Sequence, residues 1–193
     1  MARQKEFDRD EVLHKAMEVF WARGYEGTSI QDLVTHMGIN RQSIYDTFGD
    51  KHTLFLKALD CYREIHAGKV FEVLDRPGSV KRNVRALFQE VVDRAPSEES
   101  RRGCFVGNAM SELAGRCKET AAKTCNSVAS AEKMFEHALR RGKEQGELSG
   151  VRDTRAVARF LYANLQGLRL LAKATRDRRL LSDVVKVTLS VLE

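Results

Sequence analysis

The sequence predicts an all-α fold, and three observations carry that prediction. Apolar residues recur at spacings of three and four along nearly every segment, and no stretch alternates strictly at two. The only two prolines, Pro77 and Pro96, stand in polar connectors, where helix breakers belong. Residues able to cap helix ends fall at the edges of the periodic segments.

The first helix is expected to open at Asp8, with Glu11 three residues on completing a capping box. Val12, Leu13, Ala16, Met17 and Phe20 form its inner stripe, and Gly24 stops it. Thr28 with Gln31 makes a second box, opening a short helix that buries Ile30, Leu33, Val34 and Met37 before Gly38 breaks the chain. Asn40 caps a third helix in which Ile44 and Phe48 face inward. Gly49-Asp50 ends it and starts a longer fourth helix through Leu54, Phe55, Ala58, Leu59, Tyr62 and Ile65, reaching about Gly68. Ser79 caps a fifth carrying Val80, Val84, Leu87, Phe88, Val91 and Val92. After a polar link over 95–100, helices are expected at about 103–114, 119–142, 154–175 and 178–192, with Met134, Phe135, Ala138 and Leu139 inward on the longest.

Composition removes several classes of function. A chain of 193 residues can bury a core without disulfides or metals. Its cysteines, Cys61, Cys104, Cys117 and Cys125, include no C-x-x-C pair, which argues against a zinc ribbon or a disulfide scaffold. His14, His36, His52, His66 and His137 are scattered without an H-E-x-x-H, so no metal is expected. The chain holds no G-x-S-x-G, P-loop or dinucleotide fingerprint, so no enzyme and no cofactor are expected either. The most apolar segment, 160–174, is interrupted by Arg169 and Lys173 and is too short to span a bilayer. The start has no apolar stretch, so no signal peptide and a cytoplasmic location are expected.

The informative stretch runs from Thr28 to Phe48, where two short helices flank Gly38-Ile39-Asn40 in a helix-turn-helix layout. Glycine permits the sharp turn, Ile39 plugs the angle between the helices, and Asn40 restarts the chain as a helix. At about 100° per residue Phe48 stands about 40° from Ile44, while Gln42 and Asp46 point nearly opposite. A short helix with one apolar edge and one hydrogen-bonding edge fits the major groove of DNA.

Side-chain chemistry then assigns roles. Arg41 and Gln42 can present bidentate groups to guanine and adenine, and Ser43 and Thr47 can reach bases or phosphates. The Tyr45 hydroxyl, with Thr28 and Ser29 at a helix N-terminus, would hold backbone phosphates, and Lys51 and His52 would grip them from the far side. Asp46 can accept from cytosine N4 or repel the backbone. Bulk charge gives no help. The chain has 33 Lys+Arg against 27 Asp+Glu, a formal +6, but residues 1–53 hold 7 against 9, leaving −2 there and +8 in the remainder. DNA binding must therefore come from the placement of charge, with Glu11, Glu18, Glu26 and Asp32 off the groove face.

Phe20-x-x-x-Gly24-Tyr25-x-x-Thr28-Ser29-Ile30-x-x-Leu33, then Gly38-Ile39-x-x-x-Ser43-Ile44-Tyr45-x-x-Phe48-x-x-Lys51-x-x-Leu54, resembles the N-terminal signature of the TetR family of transcriptional regulators. The resemblance implies a DNA-binding domain over 6–66, with its helix-turn-helix at about 29–48, and a C-terminal effector-binding and dimerisation domain over 67–193. It also implies a dimeric repressor on palindromic double-stranded operator DNA, released by a small-molecule effector of unknown identity, with the fourth helix as lever. Arg41, Gln42 and Ser43 become base readers, and Thr28, Tyr45 and Lys51 phosphate contacts. Asp46 departs from the family pattern.

The second half offers fewer signals. Phe88, Cys104, Phe105, Asn108, Met134, Phe135, Phe160 and Asn164 are the candidate effector-pocket residues, although core packing alone explains the apolar ones. Asn164 could instead sit across a subunit interface, setting register. Cys104 lies near a helix N-terminus behind Arg101 and Arg102, which suits either a thiol sensor of electrophiles and oxidants or a small buried side chain. Cys117 and Cys125 could resolve an oxidised Cys104, or simply pack or face solvent. The apolar stripes over about 154–192 point to a homodimer interface. A helical adaptor that binds protein and not DNA is the reading from a different class.

Overall fold

A computed structural model describes residues 7–193; residues 1–6, with the expected absence of a signal peptide and the expected domain start at residue 6, lie outside the described residues. The chain forms α1 (Arg9–Arg23), α2 (Ile30–Met37), α3 (Arg41–Phe48), α4 (Lys51–Leu74) and α5 (Val80–Arg94). A 3-10 turn (Glu99–Arg102) leads into α6 (Phe105–Leu113), α7 (Lys118–Glu144), α8 (Thr154–Ala174) and α9 (Arg178–Leu189), and a second 3-10 turn (Ser190–Leu192) follows. No strand occurs among the described residues, in keeping with the all-α expectation.

Local capping accounts for most helix starts. The carboxylates of Asp8, Asp153 and Asp177 accept the first free N–H groups of α1, α8 and α9, and Asn40 and Ser79 do the same for α3 and α5. Three expected boundaries shift. The box opening α2 is Ser29 with Asp32, not Thr28 with Gln31; Thr28 is buried, and its hydroxyl donates to the Gly24 carbonyl at 2.6 Å. Helix α4 passes through Gly68 and ends at Leu74, whose carbonyl accepts from Arg141 at 2.5 Å and from Asn83 at 3.4 Å. Helix α6 starts at Phe105, because Gly103 adopts a φ of +64° and turns the chain just before it.

Two compact units result. One joins the chain up to Ile65 with Asn108–Thr124; the other joins His66–Gly107 with Cys125–Glu193. The segment 108–124 therefore packs with the N-terminal helices, although the sequence assigns it to the C-terminal domain. In the first unit, aromatic edges tie α1 to α4: Phe20 meets Phe55 with ring centres 5.2 Å apart, and Trp21 meets Tyr62 at 5.1 Å. Glu112 of α6 accepts from the backbone N–H of Tyr25 at 3.0 Å and of Glu26 at 2.8 Å, latching the turn after α1. A Cβ at Gly24 would stand 2.8 Å from that carboxylate, so only glycine admits the latch.

In the second unit α5, α8 and α9 pack on one another around Val84, Leu87, Phe88, Leu161, Leu165, Leu168, Leu181 and Val185. Phe135 and Leu139 of α7 close the same core. The Glu147 carboxylate caps α5 beside Ser79, accepting from Val80 N at 2.7 Å and from the Ser79 hydroxyl.

Candidate nucleic-acid interface

The turn between α2 and α3 is built by three local devices. Gly38 takes a left-handed φ of +72°, and its N–H bonds Val34 at 3.1 Å to close α2. Asn40 accepts from Ser43 N at 2.8 Å and opens α3. Ile44 and Phe48 are 0% and 1% exposed, which fixes the roll of α3 and turns Arg41, Gln42 and Asp46 to solvent. Replacing either anchor by alanine removes about 2–5 kcal/mol and frees that roll.

On the exposed edge the side chains are paired in advance. The Arg41 guanidinium lies over the Tyr45 ring, 5.6 Å from its centre, and Nη2 donates to the hydroxyl at 3.3 Å. Gln42 Nε2 donates to Asp46 Oδ1 at 2.8 Å, one turn along. Asp46, which departs from the family pattern, is thus the group that orients the Gln42 amide. The signal for this pair was the i,i+4 spacing.

The remaining expected contacts fare unequally. Ser43 is half-buried at the N-terminus of α3. Lys51 Nζ sits 4.3 Å above the Tyr25 ring, and His52 stacks edge-on to that ring at 5.9 Å, so one aromatic side chain organises both residues at the start of α4. Ser29 is exposed, but its N–H and hydroxyl both donate to Asp32 Oδ2, at 2.9 and 2.6 Å. Those bonds from Ser29, aided by Arg23, hold the Asp32 carboxyl down at a pKa of about 2, so an acid occupies this helix start. Thr28 is turned inward, and the phosphate contact expected of it is not carried forward. Thr47 Oγ1 is likewise buried, with no hydrogen-bond partner among the described residues, so it does not face the groove side. Lys57 escaped the sequence reading: its Nζ donates to the Phe48 carbonyl at 3.4 Å, placing a cation at the negative end of α3.

The residues expected to line an effector pocket differ in burial. Phe88 and Phe135 lie in the closed core of the second unit with Met134 against them, and Phe105 is 1% exposed. Phe160 is 44% exposed. Asn164 bonds the Phe160 carbonyl at 2.8 Å and the Thr188 hydroxyl at 3.4 Å, within its own subunit. Asn108 belongs to the first unit. Cys104 is buried at 8% exposure, which suits a packed small side chain better than a reactive thiol. A shallow cleft does open in the second unit, lined by Ala95, Arg101 and residues 172–176.

Two stretches of the chain match known families. Residues 12–58 match the family described as bacterial regulatory proteins, tetR family, and residues 71–188 match the tetracyclin repressor-like C-terminal domain. The chain is 45% identical over 194 residues to the uncharacterized HTH-type transcriptional regulator YezE of Bacillus subtilis, covering 100% of both chains. It is 30% identical over 188 residues to the HTH-type transcriptional repressor ComR of Escherichia coli, covering 97% of this chain and 90% of that one. Among solved structures, a cysteine mutant of the TetR family regulator CifR, complexed with double-strand operator DNA, superposes with a TM-score of 0.83 at 35% identity over 98% of each chain.

Proposed function

Because the chain belongs to the TetR family of helix-turn-helix transcriptional regulators, we propose that it is a homodimeric repressor held on a palindromic operator and released by a small-molecule effector. The observation that carries the reading is the exposed edge of α3, where Arg41 and Gln42 are fixed by Tyr45 and Asp46 while Ile44 and Phe48 anchor the opposite face. Donors and acceptors set in place before binding lose little side-chain entropy on meeting base edges. That ComR carries the name of a repressor, and that CifR was solved on operator DNA, supports the same reading.

Dimerisation is proposed through α8 and α9. Beyond the stripes used in its own core, α8 exposes Phe160, Ala163, Gly167, Leu170, Leu171 and Ala174 along one face, and α9 exposes Leu180 and Val187. An exposed apolar face with small residues in its middle suits close packing of a second copy. No described helix is long and apolar enough to cross a membrane, and a cytoplasmic location is proposed with the DNA partner. An effector that enters the second unit must part Phe88 and Phe135 or use the cleft beside Arg101, and it acts by preferring a state in which the paired readers no longer match their half-sites. Thiol sensing at Cys104 is the weaker reading because of its burial.

The test is enrichment of random duplex DNA on the purified, reduced protein at physiological salt. A palindrome with half-sites about one helical turn apart is the expected outcome. Salt-sensitive bulk binding without enrichment would overturn the reading in favour of the helical adaptor.

A further inference from the structure

In the first unit the α6–α7 connection brings two potential ligands against the start of α4. His52 Nε2 lies 3.1 Å from Cys117 Sγ, and Cys117 Sγ lies 3.3 Å from Glu119 Oε2. The three ligand atoms all stand within 4.8 Å of one another. Nothing in the local sequence announces this, since 65 residues separate His52 from Cys117.

The sulfur is oriented as a ligand would be. Cys117 immediately precedes α7, and Thr120 donates to Sγ through its backbone N–H at 3.4 Å and its hydroxyl at 3.3 Å. On the other side, the edge-on Tyr25 ring holds the His52 imidazole. A thiol can satisfy both neighbours only if Nε2 donates to it while its own single proton goes to Glu119. A cation would use all three lone pairs at once.

We propose that His52, Cys117 and Glu119 form a binding site for a thiophilic divalent metal ion of the zinc class. Metal–ligand lengths of about 2.0–2.3 Å at a tetrahedral angle place ligand atoms about 3.5 Å apart, so the observed 3.1 and 3.3 Å need to open by only a few tenths, and the His52–Glu119 pair, within 4.8 Å, reaches the same spacing by rotation of the exposed Glu119 side chain. A thiolate and a carboxylate neutralise a divalent ion, the imidazole adds a borderline donor suited to zinc, and the fourth position stays open to water. Binding releases the thiol proton to solvent. The expectation of no metal rested on local spacing motifs, and these cannot register ligands drawn from two distant helices.

The site is tested without DNA. Reduced, chelator-stripped full-length protein is titrated with Co²⁺ and then with Zn²⁺. Uptake stoichiometric with the chain is expected, with a thiolate-to-cobalt charge-transfer band and tetrahedral d–d bands that Zn²⁺ erases. Cys117→Ser should remove the charge-transfer band while keeping the α7 cap, because a serine oxygen still accepts the Thr120 N–H. Glu119→Gln, on an exposed side chain, should weaken affinity at least about tenfold. Cys104→Ser should change nothing. Absence of a charge-transfer band in the unmutated protein, or a band that survives Cys117→Ser, would overturn the proposal.

Discussion

Arg41 and Lys51 both bring positive charge to the proposed DNA face, yet they should fail differently when removed. Arg41, held over the Tyr45 ring at the exposed edge of α3, should on replacement by alanine cost about 1–3 kcal/mol at one position of each half-site and relax the preference there. Lys51→Ala should weaken all sequences alike and reduce the slope of log affinity against log salt by about one. Competition binding over a salt series, with single-base operator variants, separates the two; an unchanged preference in Arg41→Ala would reject the assigned reading edge. At this scale the Asn40 cap on Ser43 was legible in the sequence, whereas the box of α2, also three residues long, falls one residue later than expected. Thr28 and Ser29 could each cap, and Gln31 and Asp32 each lay three residues on. Packing of Thr28 into the core decided between the two boxes, and packing is not written locally.

Helices carry the next level of consequence. The start of α5 depends on Glu147, which approaches it from beyond the end of α7. Burial opposes its charge, but the Ser79 hydroxyl and the N–H groups of Val80 and Lys81 outweigh that and lower its pKa. A carboxyl held below its unfolded value stabilises the fold above that value and loses the contribution as pH falls through the folded one. Glu147→Ala should therefore lower the melting temperature at neutral pH by about 2–4 °C, for a loss of about 1 kcal/mol. The deficit relative to the unmutated protein should shrink as the pH is taken below about 4. Thermal unfolding across that range checks both parts, and a deficit independent of pH would assign the effect to packing. Such cross-chain caps explain where the sequence reading stopped short. It ended α4 at Gly68 because the groups that finish the helix, Asn83 and Arg141, lie far along the chain.

For the whole molecule, the apolar stripes of α8 and α9 are broader than the subunit's own core uses. Leu161, Leu165, Leu168, Leu181 and Val185 go into the subunit's own core, while Leu170 and Val187 remain 66% and 72% exposed. Periodicity finds a stripe but does not divide its breadth between inside and partner; only the arrangement of neighbouring helices does. Leu170→Glu should therefore leave the melting of the subunit core almost unchanged and shift sedimentation from dimer toward monomer. Operator affinity should fall with it, since half-sites are then engaged one at a time. A fully dimeric Leu170→Glu protein would place the interface elsewhere.

The glycine inside α4 has a consequence for stability. From Lys51 to Leu74 it is the one residue without a Cβ, an added Cβ there would meet nothing within 4 Å, and it lies three residues past the point where the first unit gives way to the second. Sterics do not require a glycine, and alanine would be better for the helix by about 1 kcal/mol. Gly68→Ala should therefore raise the melting temperature with no steric penalty.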